Sequence, residues 1–279
     1  MTTRTVSNVI PFPGTALQAI DLATVHSNGV ALSGSRNAVW LCPAYSGAYE
    51  HMLYVKPHLT TRQIVAELLC AQVAIAMGLP CARPYLVVVA PHHMGLPRGD
   101  SLLAFGSQQV GPRSTAKVIR DLDIMFEALQ KAKAAEGVGV LDEWVANAVR
   151  HERDMVYDPK GTIWIIDHEA AAPAGVRPDE FMTNWLADRL RDRTDPHKRA
   201  DLLQALRKKT AKPRALQLSS APPEIHKIAG AAQQWQEVVS FLSQRLSELD
   251  RLLSQRIIPA QTYLPLSQAS AAEHQRELP

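Results

Sequence analysis

Residues 147–168 read Asn-Ala-Val-Arg-His-Glu-Arg-Asp-Met-Val-Tyr-Asp-Pro-Lys-Gly-Thr-Ile-Trp-Ile-Ile-Asp-His. Two apolar runs, residues 155–157 and 162–166, flank the segment Asp-Pro-Lys-Gly at residues 158–161, which has proline and glycine where a β-turn favours them. We therefore predict a β-hairpin. The polar residues of the stretch lie at the two outer ends of this hairpin. Pairing of the strands would therefore bring the polar residues of one end close to those of the other.

Each outer end of the predicted hairpin carries a carboxylate. Asp154 immediately precedes the first strand, and Asp167 follows the second strand together with His168. Because antiparallel strands bring these ends side by side, both carboxylates would lie in one cleft. Carboxylate oxygens are the ligands that Mg²⁺ prefers in proteins. The sequence thus predicts a metal site formed by Asp154 and Asp167.

The front of the chain has the pattern of a small antiparallel β-sheet with one inserted helix. Short apolar runs are separated by glycine and proline. One segment has helical periodicity between a cap at Thr60 or Thr61 and a stop at Gly78 and Pro80. The predicted strands cover residues 30–32, 39–41, 52–55, 85–90 and 102–105.

The back of the chain favours helices on either side of the hairpin. The predicted helices cover residues 114–133, 141–147, 179–190, 198–209 and 231–257. We predict an α+β fold with two lobes joined near Gly106. The predicted parts are a loosely structured lead-in (1–20), a sheet-based N-lobe (21–106), a mostly helical C-lobe (107–258) and a disordered tail (259–279).

Composition and charge narrow the class of protein. The 279 residues are 46% hydrophobic and 20% charged, as in globular proteins, and the net charge of +3 makes nucleic acid an unlikely partner. No apolar run approaches the roughly 18 to 20 residues of a membrane-spanning helix, so we predict no membrane insertion and a cytoplasmic location. Cys42, Cys70 and Cys81 match no zinc motif and are predicted to be buried thiols.

Two upstream features suit the binding of phosphate groups. Lys56 ends one predicted strand and Glu67 lies in the following helix, the order in which a strand lysine pairs with a helix glutamate in phosphoryl transfer. Gly34 and Ser35 lie in a turn whose backbone N–H groups could face phosphates. An exposed strand end, a solvated helix position and a simple hairpin turn are the alternatives.

Several segments together resemble the HipA-like kinase family, part of the broader protein-kinase-like and phosphoinositide-kinase-like group. The opening stretch is similar to the family's Asn-x-Asp-Arg motif, a metal-binding Asn a few residues later and Ile-Asp-His. The upstream matches are Tyr-Val-Lys (54–56), Ala-Glu-Leu-Leu (66–69), Ala-Met-Gly-Leu-Pro (76–80) and Phe-Gly-Ser (105–107). The resemblance covers roughly residues 30–171. It implies a bilobal protein-kinase-like fold that transfers phosphate from ATP to a protein or a small hydroxyl acceptor.

The resemblance also implies a role for each matching residue. Lys56 would contact the α- and β-phosphates of ATP, Glu67 would bind Lys56, and Asp167 would bind Mg²⁺. Phe105 and Ser107 would line the adenine side of the nucleotide.

The catalytic loop departs from the family pattern at two positions. Val149 stands where the family has the aspartate that orients the acceptor hydroxyl, and Asp154 stands where the second metal ligand is usually Asn. Valine can neither accept a proton nor bind metal. Arg150 matches the family's arginine, and we predict catalytic roles for Arg150 and Asp154 in an enzyme slowed by Val149.

The sequence leaves three alternatives open. Asp142 and Asn147 also have the spacing of a kinase catalytic loop, although Asp142 is placed to cap a helix. The chain could instead be a catalytically impaired ATP-binding module that engages a partner through its arginine-rich residues 189–193. A third possibility is an α/β domain whose charged residues are unrelated to nucleotides.

Overall fold

The computed structural model describes residues 15–259 with the exception of 18, 33–36, 112, 115–120, 159 and 219–220. Gly34 and Ser35, predicted to face phosphates, therefore lie outside the described residues. The same holds for most of the predicted lead-in and for the predicted tail from residue 260 onward.

The described residues form a mixed α+β structure with the sheet toward the N-terminus and the helices toward the C-terminus. The strands are β1 (Thr15–Ala16), β2 (Asp21–Val25), β3 (Val30–Leu32), β4 (Val39–Ser46), β5 (Tyr49–Lys56), β6 (Pro84–Val89), β7 (Leu102–Gln108), β8 (Arg113–Ser114), β9 (Met155–Tyr157), β10 (Ile163–Ile165) and β11 (Leu216–Gln217). The helices are α1 (Thr61–Ala76), α2 (Leu122–Lys131), α3 (Ala135–Val145), α4 (Trp185–Asp192), α5 (Arg199–Lys209), α6 (Ala211–Ala215) and α7 (Ala231–Ile257). Short 3₁₀ turns cover Pro91–Met94, Glu152–Asp154, Pro196–Lys198 and Pro223–Lys227.

The main sheet is mixed and closes on itself, which corrects the predicted antiparallel sheet. Its strand order is β2-β6-β7-β5-β4-β3, and β2 also pairs with β4, so five strands form a ring and β3 extends its edge. β2 and β6 run parallel, with Leu22 opposite Leu86. Parallel neighbours need a long connection, here one that contains α1. The prediction missed this pair because residues 21–25 were not identified as a strand.

Small and β-branched side chains fill the interior of the ring. Ala23, Ala44, Val55 and Val87 belong to one buried apolar cluster there. Gly106 lies within β7, and a Cβ at this position would approach Val87 Cγ2 to 2.5 Å. The glycine therefore serves close packing inside a strand that continues to Gln108, rather than ending the sheet at residue 106.

Helix α1 lies at the centre of the molecule, where it packs on β6, β7 and α7. Its N-terminus has a capping box in which Thr60 and Gln63 exchange hydrogen bonds, as the predicted cap requires. Every side chain from Ile64 to Ala74 is buried, including that of Glu67. Burying a carboxylate among apolar side chains is costly unless a charged group or a hydrogen-bond donor pairs with it. Glu67 therefore needs such a partner.

The predicted hairpin is present, with strands at Met155–Tyr157 and Ile163–Ile165. β9 pairs antiparallel with β10, Trp164 lies opposite Val156, and the Ile166 N–H donates to the Asp154 carbonyl at 2.8 Å. The two ends of the hairpin therefore meet.

The predicted helix at residues 231–257 is confirmed with the same bounds, and the other four predicted helices are present but differ in where they begin or end. Ser114 lies in β8, which pairs with β9, so α2 begins only at Leu122, after Asp121 caps it. α3 extends from Ala135 to Val145, so it begins six residues and ends two residues before the predicted bounds. α4 begins at Trp185 because the Asn184 side chain accepts the Ala187 N–H.

Two further predictions can be compared with the described residues. Cys42, Cys70 and Cys81 are free and buried, as predicted. Within the described ranges, none of the helices combines the length and apolar character needed to cross a membrane.

Candidate functional site

Lys56 lies at the centre of a cluster of carboxylates. Its Nζ is 2.6 Å from Glu67 Oε1, 3.0 Å from Asp167 Oδ1 and 3.0 Å from Glu169 Oε2. The lysine ends β5, the first carboxylate comes from α1, and the other two follow β10. Three separate elements of the fold therefore converge on one ammonium group, and the predicted pairing of Lys56 with Glu67 is present in the geometry.

Glu67 connects the lysine to the strand end that carries Asp167. Its second oxygen, Oε2, accepts the His168 backbone N–H at 2.7 Å, and its side chain is 1% exposed. Burial raises the pKa of Glu67, and the ammonium of Lys56 opposes this shift. Burial would lower the pKa of Lys56, but the three carboxylates outweigh it and leave that pKa raised. The ammonium is consequently charged throughout the physiological range.

Asp167 is presented by an unusual backbone conformation. Its φ is +61°, in the left-handed region that few residues other than glycine adopt, although aspartate tolerates it. The turn that follows brings Glu169 back onto Lys56. Backbone conformations of this kind are concentrated at binding and catalytic sites.

Glu169 is a residue of this cluster that the sequence prediction missed. Its Oε1 accepts from Asn37 Nδ2 at 2.5 Å, so a residue just before β4 also contributes to the site. The available signal was the spacing of Asp167 and Glu169, since residues two apart after a strand can face the same side. No comparable signal marks Asn37, which lies 132 positions from Glu169 in the chain.

The carboxylates suit a hard divalent cation. Oxygens of Glu67, Asp167 and Glu169 lie within 4.8 Å of one another, and three carboxylates against one ammonium leave an excess of negative charge. An all-oxygen ligand set of this type fits Mg²⁺. Asp154, the predicted second ligand, is not a member of that group within the described residues.

Asp154 is buried beside the cluster rather than within it. It is 6% exposed, its Oδ2 accepts the His151 N–H at 3.0 Å, and its Oδ1 is 3.2 Å from His151 Nδ1. Burial raises the pKa of Asp154 to about 7, Arg150 opposes the shift, and the charge of Asp167 adds to it. The negative charge of Asp167 therefore disfavours the ionised form of Asp154.

The raised pKa of Asp154 predicts a pH-dependent stability of the metal-free protein. The unfolded chain releases this proton near pH 4, whereas the folded chain keeps it until about pH 7. The free energy of unfolding should therefore fall as pH rises between these values, by at most about 1.4 kcal/mol per pH unit. Asp154→Asn should show a shallower fall in urea unfolding with chelator present, because Glu67, whose pKa is also raised, titrates in both proteins.

Comparison with the variant isolates the Asp154 contribution to this pH dependence. His151, Arg150, Asp167 and Lys56, which surround Asp154, are present in both proteins, so their own titrations largely cancel in the difference. A difference in unfolding free energy that stays constant from pH 4 to pH 7 would contradict the raised pKa.

Arg150 fixes the backbone that presents Asp167. The guanidinium donates to both carboxylate oxygens of Asp142, to the Ile166 carbonyl at 2.8 Å and to His168 Nδ1 at 3.2 Å. Its side chain is 1% exposed. The prediction placed Arg150 among the catalytic residues, but its donors face inward, so we interpret it as a positioning residue.

His168 is neutral and completes this support. Burial, together with the charge of Arg150, lowers the pKa of His168 well below its ordinary value. Because Arg150 donates to Nδ1, the ring proton lies on Nε2, which is 3.4 Å from Cys81 Sγ. The imidazole therefore lies between Arg150 and Cys81, in the segment that precedes β6.

The geometry argues against the alternative catalytic loop. Asp142 is 2% exposed and bound by Arg150, so its carboxylate cannot reach an acceptor. Asn147 is also buried, and its Oδ1 accepts the Val149 N–H at 3.4 Å. Its Nδ2 has no hydrogen-bond partner among the described residues. By contrast, Val149 is 57% exposed on the turn that follows α3.

The two residues predicted for the adenine side lie in β7. Phe105 is opposite Lys56 in the sheet, and its ring centroid is 6.0 Å from Lys56 Nζ. Its side chain is buried in the apolar core. Ser107 is half-buried and pairs with Tyr54 on one side and Pro84 on the other.

Comparison with known proteins identifies similar chains. A family model described as HipA-like kinase matches residues 32–251. Among solved structures, the proinflammatory kinase CtkA of Helicobacter pylori is similar over 85% of this chain and 98% of its own, with a TM-score of 0.51 and 11% sequence identity. At that identity the likeness shows the fold alone. A search of curated proteins found no match.

Proposed function

The chain belongs to the HipA-like kinase family, and on this premise we propose that it is an ATP- and Mg²⁺-dependent phosphotransferase. The nucleotide would lie between a sheet-based lobe and a helical lobe, next to Lys56. The acceptor would be a hydroxyl of a protein or of a small molecule. A cytoplasmic location, where ATP is available, remains a prediction.

The observation that carries this proposal is the contact of Lys56 with both Glu67 and Asp167. A strand lysine paired with a helix glutamate, next to a carboxylate that can bind metal, is the arrangement that phosphoryl transfer requires. Here the three groups come from β5, α1 and the end of β10, and their oxygens and nitrogen lie at 2.6 and 3.0 Å. An α/β domain with unrelated charges would not need this convergence.

Each residue would have a defined task. Lys56 would bind phosphate oxygens, Glu67 would orient Lys56, and Asp167 with Asp154 would bind Mg²⁺. Bound Mg²⁺ would offset the negative charge on the transferring phosphate. Arg150 and His168 would keep the backbone of Asp167 in its left-handed conformation.

Val149 supports a second candidate, a nucleotide-binding protein with impaired catalysis. Its exposed isopropyl group occupies the position of the acceptor-orienting aspartate in the family motif. The partner surface first predicted for such a module is less favoured, because its arginines are engaged within the chain. Arg189 and Arg193 both pair with Asp123, and Arg191 contacts Asp188.

The proposal predicts that Mg²⁺ and ATP together stabilise the protein through Asp167. Ligand at about 100 times its dissociation constant should add about 2.7 kcal/mol to the free energy of unfolding. Asp167→Ala should abolish most of this gain, whereas Asp100→Ala, which changes an exposed aspartate in a loop, should keep it. Thermal unfolding with and without ligand measures both. Absence of any stabilisation of the unmodified chain would refute the proposal.

A further inference from the structure

We propose that Glu169 is a specificity-determining residue that makes nucleotide binding at Lys56 depend on a divalent cation. Without the cation, its carboxylate would occupy the position on Lys56 that phosphate oxygens need. This inference rests on the proposed function and extends it, because it assigns a role to a residue that the family motif does not include. It predicts that the chain binds the metal complex of ATP and excludes metal-free ATP.

The first argument is that three carboxylate oxygens surround the ammonium group of Lys56. An ammonium group has three N–H donors. Nζ donates to Glu67 Oε1 at 2.6 Å and to Glu169 Oε2 at 3.0 Å, and Asp167 Oδ1 forms an ion pair with it at 3.0 Å. A phosphate oxygen can therefore bind Lys56 only after one carboxylate has moved away.

The second argument concerns which carboxylate can move. Glu67 is 1% exposed and is fixed through its other oxygen by the His168 backbone N–H, so it stays in place. Glu169 has more freedom, since its side chain is 16% exposed and, among the described residues, its other oxygen is bound by one side chain, that of Asn37. An amide partner is easier to exchange than a buried backbone donor. Asp167, which is 34% exposed, can move as well, but in the proposed function it binds the cation, so Glu169 is the carboxylate that yields to the phosphates.

The third argument is the balance of charge. Three carboxylates and one ammonium leave the cluster negative, and the phosphates of ATP add further negative charge to the same place. A metal-free nucleotide is therefore repelled. A divalent cation attracts the carboxylates of Asp167 and Glu169 away from Lys56 and at the same time offsets the phosphate charge. Release of the lysine and binding of the cation are consequently coupled.

Asn37 orients the carboxylate of Glu169 toward Lys56. Its amide Nδ2 donates to Glu169 Oε1, while Oε2 faces Lys56. The amide orients the carboxylate toward the lysine, so loss of the amide should weaken the competition without removing the charge. Asn37→Ala is therefore expected to have the same effect as loss of the carboxylate, but a smaller one.

The test compares the binding of a fluorescent ATP analogue in excess Mg²⁺ and in excess chelator. For the unmodified chain, we expect affinity to be about 100-fold higher with Mg²⁺, a coupling of ordinary size between two ligands. Glu169→Gln should reduce this ratio to about tenfold or less by strengthening metal-free binding. Asn37→Ala should give an intermediate ratio. Glu127→Gln, a change at an exposed glutamate of α2, should leave the ratio unchanged.

The possible outcomes separate this inference from the proposed function. If Glu169→Gln and the unmodified chain have the same ratio, Glu169 does not compete for Lys56. If the variant instead loses binding in Mg²⁺ and gains none in chelator, Glu169 is required for the bound state and the inference is wrong. If no variant binds nucleotide under either condition while thermal unfolding shows a folded protein, the proposed function fails as well.

Discussion

Replacement of Val149 with aspartate should raise the rate of phosphate transfer by about 10²- to 10⁴-fold, the usual contribution of a positioned general base. In the family motif this position has the aspartate that orients the acceptor hydroxyl. The other parts of the predicted machinery are already present: Lys56, Glu67 and Asp167 are in contact. The variant would thus add the missing group to an assembled site.

The structure indicates that the protein should tolerate this substitution. Val149 is 57% exposed and lies on a turn, and its backbone N–H is bound by the side chain of Asn147. An exposed aspartate loses no hydration there, so the free energy of unfolding should change by less than about 0.5 kcal/mol. A gain in rate could then be attributed to chemistry rather than to folding.

The measurement follows radiolabelled phosphate from ATP, both released to water and incorporated into the protein. Val149→Asn is the matched control, because asparagine has nearly the same shape as aspartate but cannot accept a proton. We expect Val149→Asn to remain close to the unmodified chain. Equal rates for the Asp and Asn variants would show that a carboxylate at this position has no special role, and would favour the impaired nucleotide-binding protein.

The features predicted well from the sequence are those that short segments determine. The turn at residues 158–161 specified the hairpin, and the hairpin in turn brought the backbone of Asp154 to that of Ile166. Periodicity and capping located α1, and strand-then-helix order paired Lys56 with Glu67. In each case the relevant residues are neighbours in sequence or in consecutive elements.

The features that were missed depend on contacts between distant segments. Closure of the ring needs β2 to pair with both β4 and β6, and nothing within residues 21–25 specifies either partner. The contact of Asn37 with Glu169 is of the same kind. The interpretation of Arg150 was limited for another reason, because a motif gives the identity of a residue but not the direction of its side chain. The packed structure shows that its guanidinium is buried and donates to Asp142, Ile166 and His168.

Replacement of Arg150 with methionine should destabilise the protein by about 3–5 kcal/mol, the usual cost of breaking a buried ion pair. The side chains of Arg150 and Asp142 are 1% and 2% exposed, so the variant would leave a buried carboxylate without its partner. The Ile166 carbonyl and His168 Nδ1 would also lose their donor. Urea unfolding measures the loss. Arg177→Met, which breaks an exposed pair with Asp179, should cost less than about 1 kcal/mol.

A double variant separates stability from positioning. Asp142→Leu combined with Arg150→Met replaces the ion pair with apolar side chains, so much of the lost stability should return. Binding of ATP in Mg²⁺ should nevertheless stay at least about tenfold weaker than in the unmodified chain, because Ile166 and His168 no longer fix the backbone of Asp167. If the double variant regains full nucleotide binding, Arg150 contributes only stability. If Arg150→Met instead unfolds like the unmodified chain but transfers no phosphate, the arginine acts on the reaction itself and its inward orientation in the fold does not describe the working enzyme.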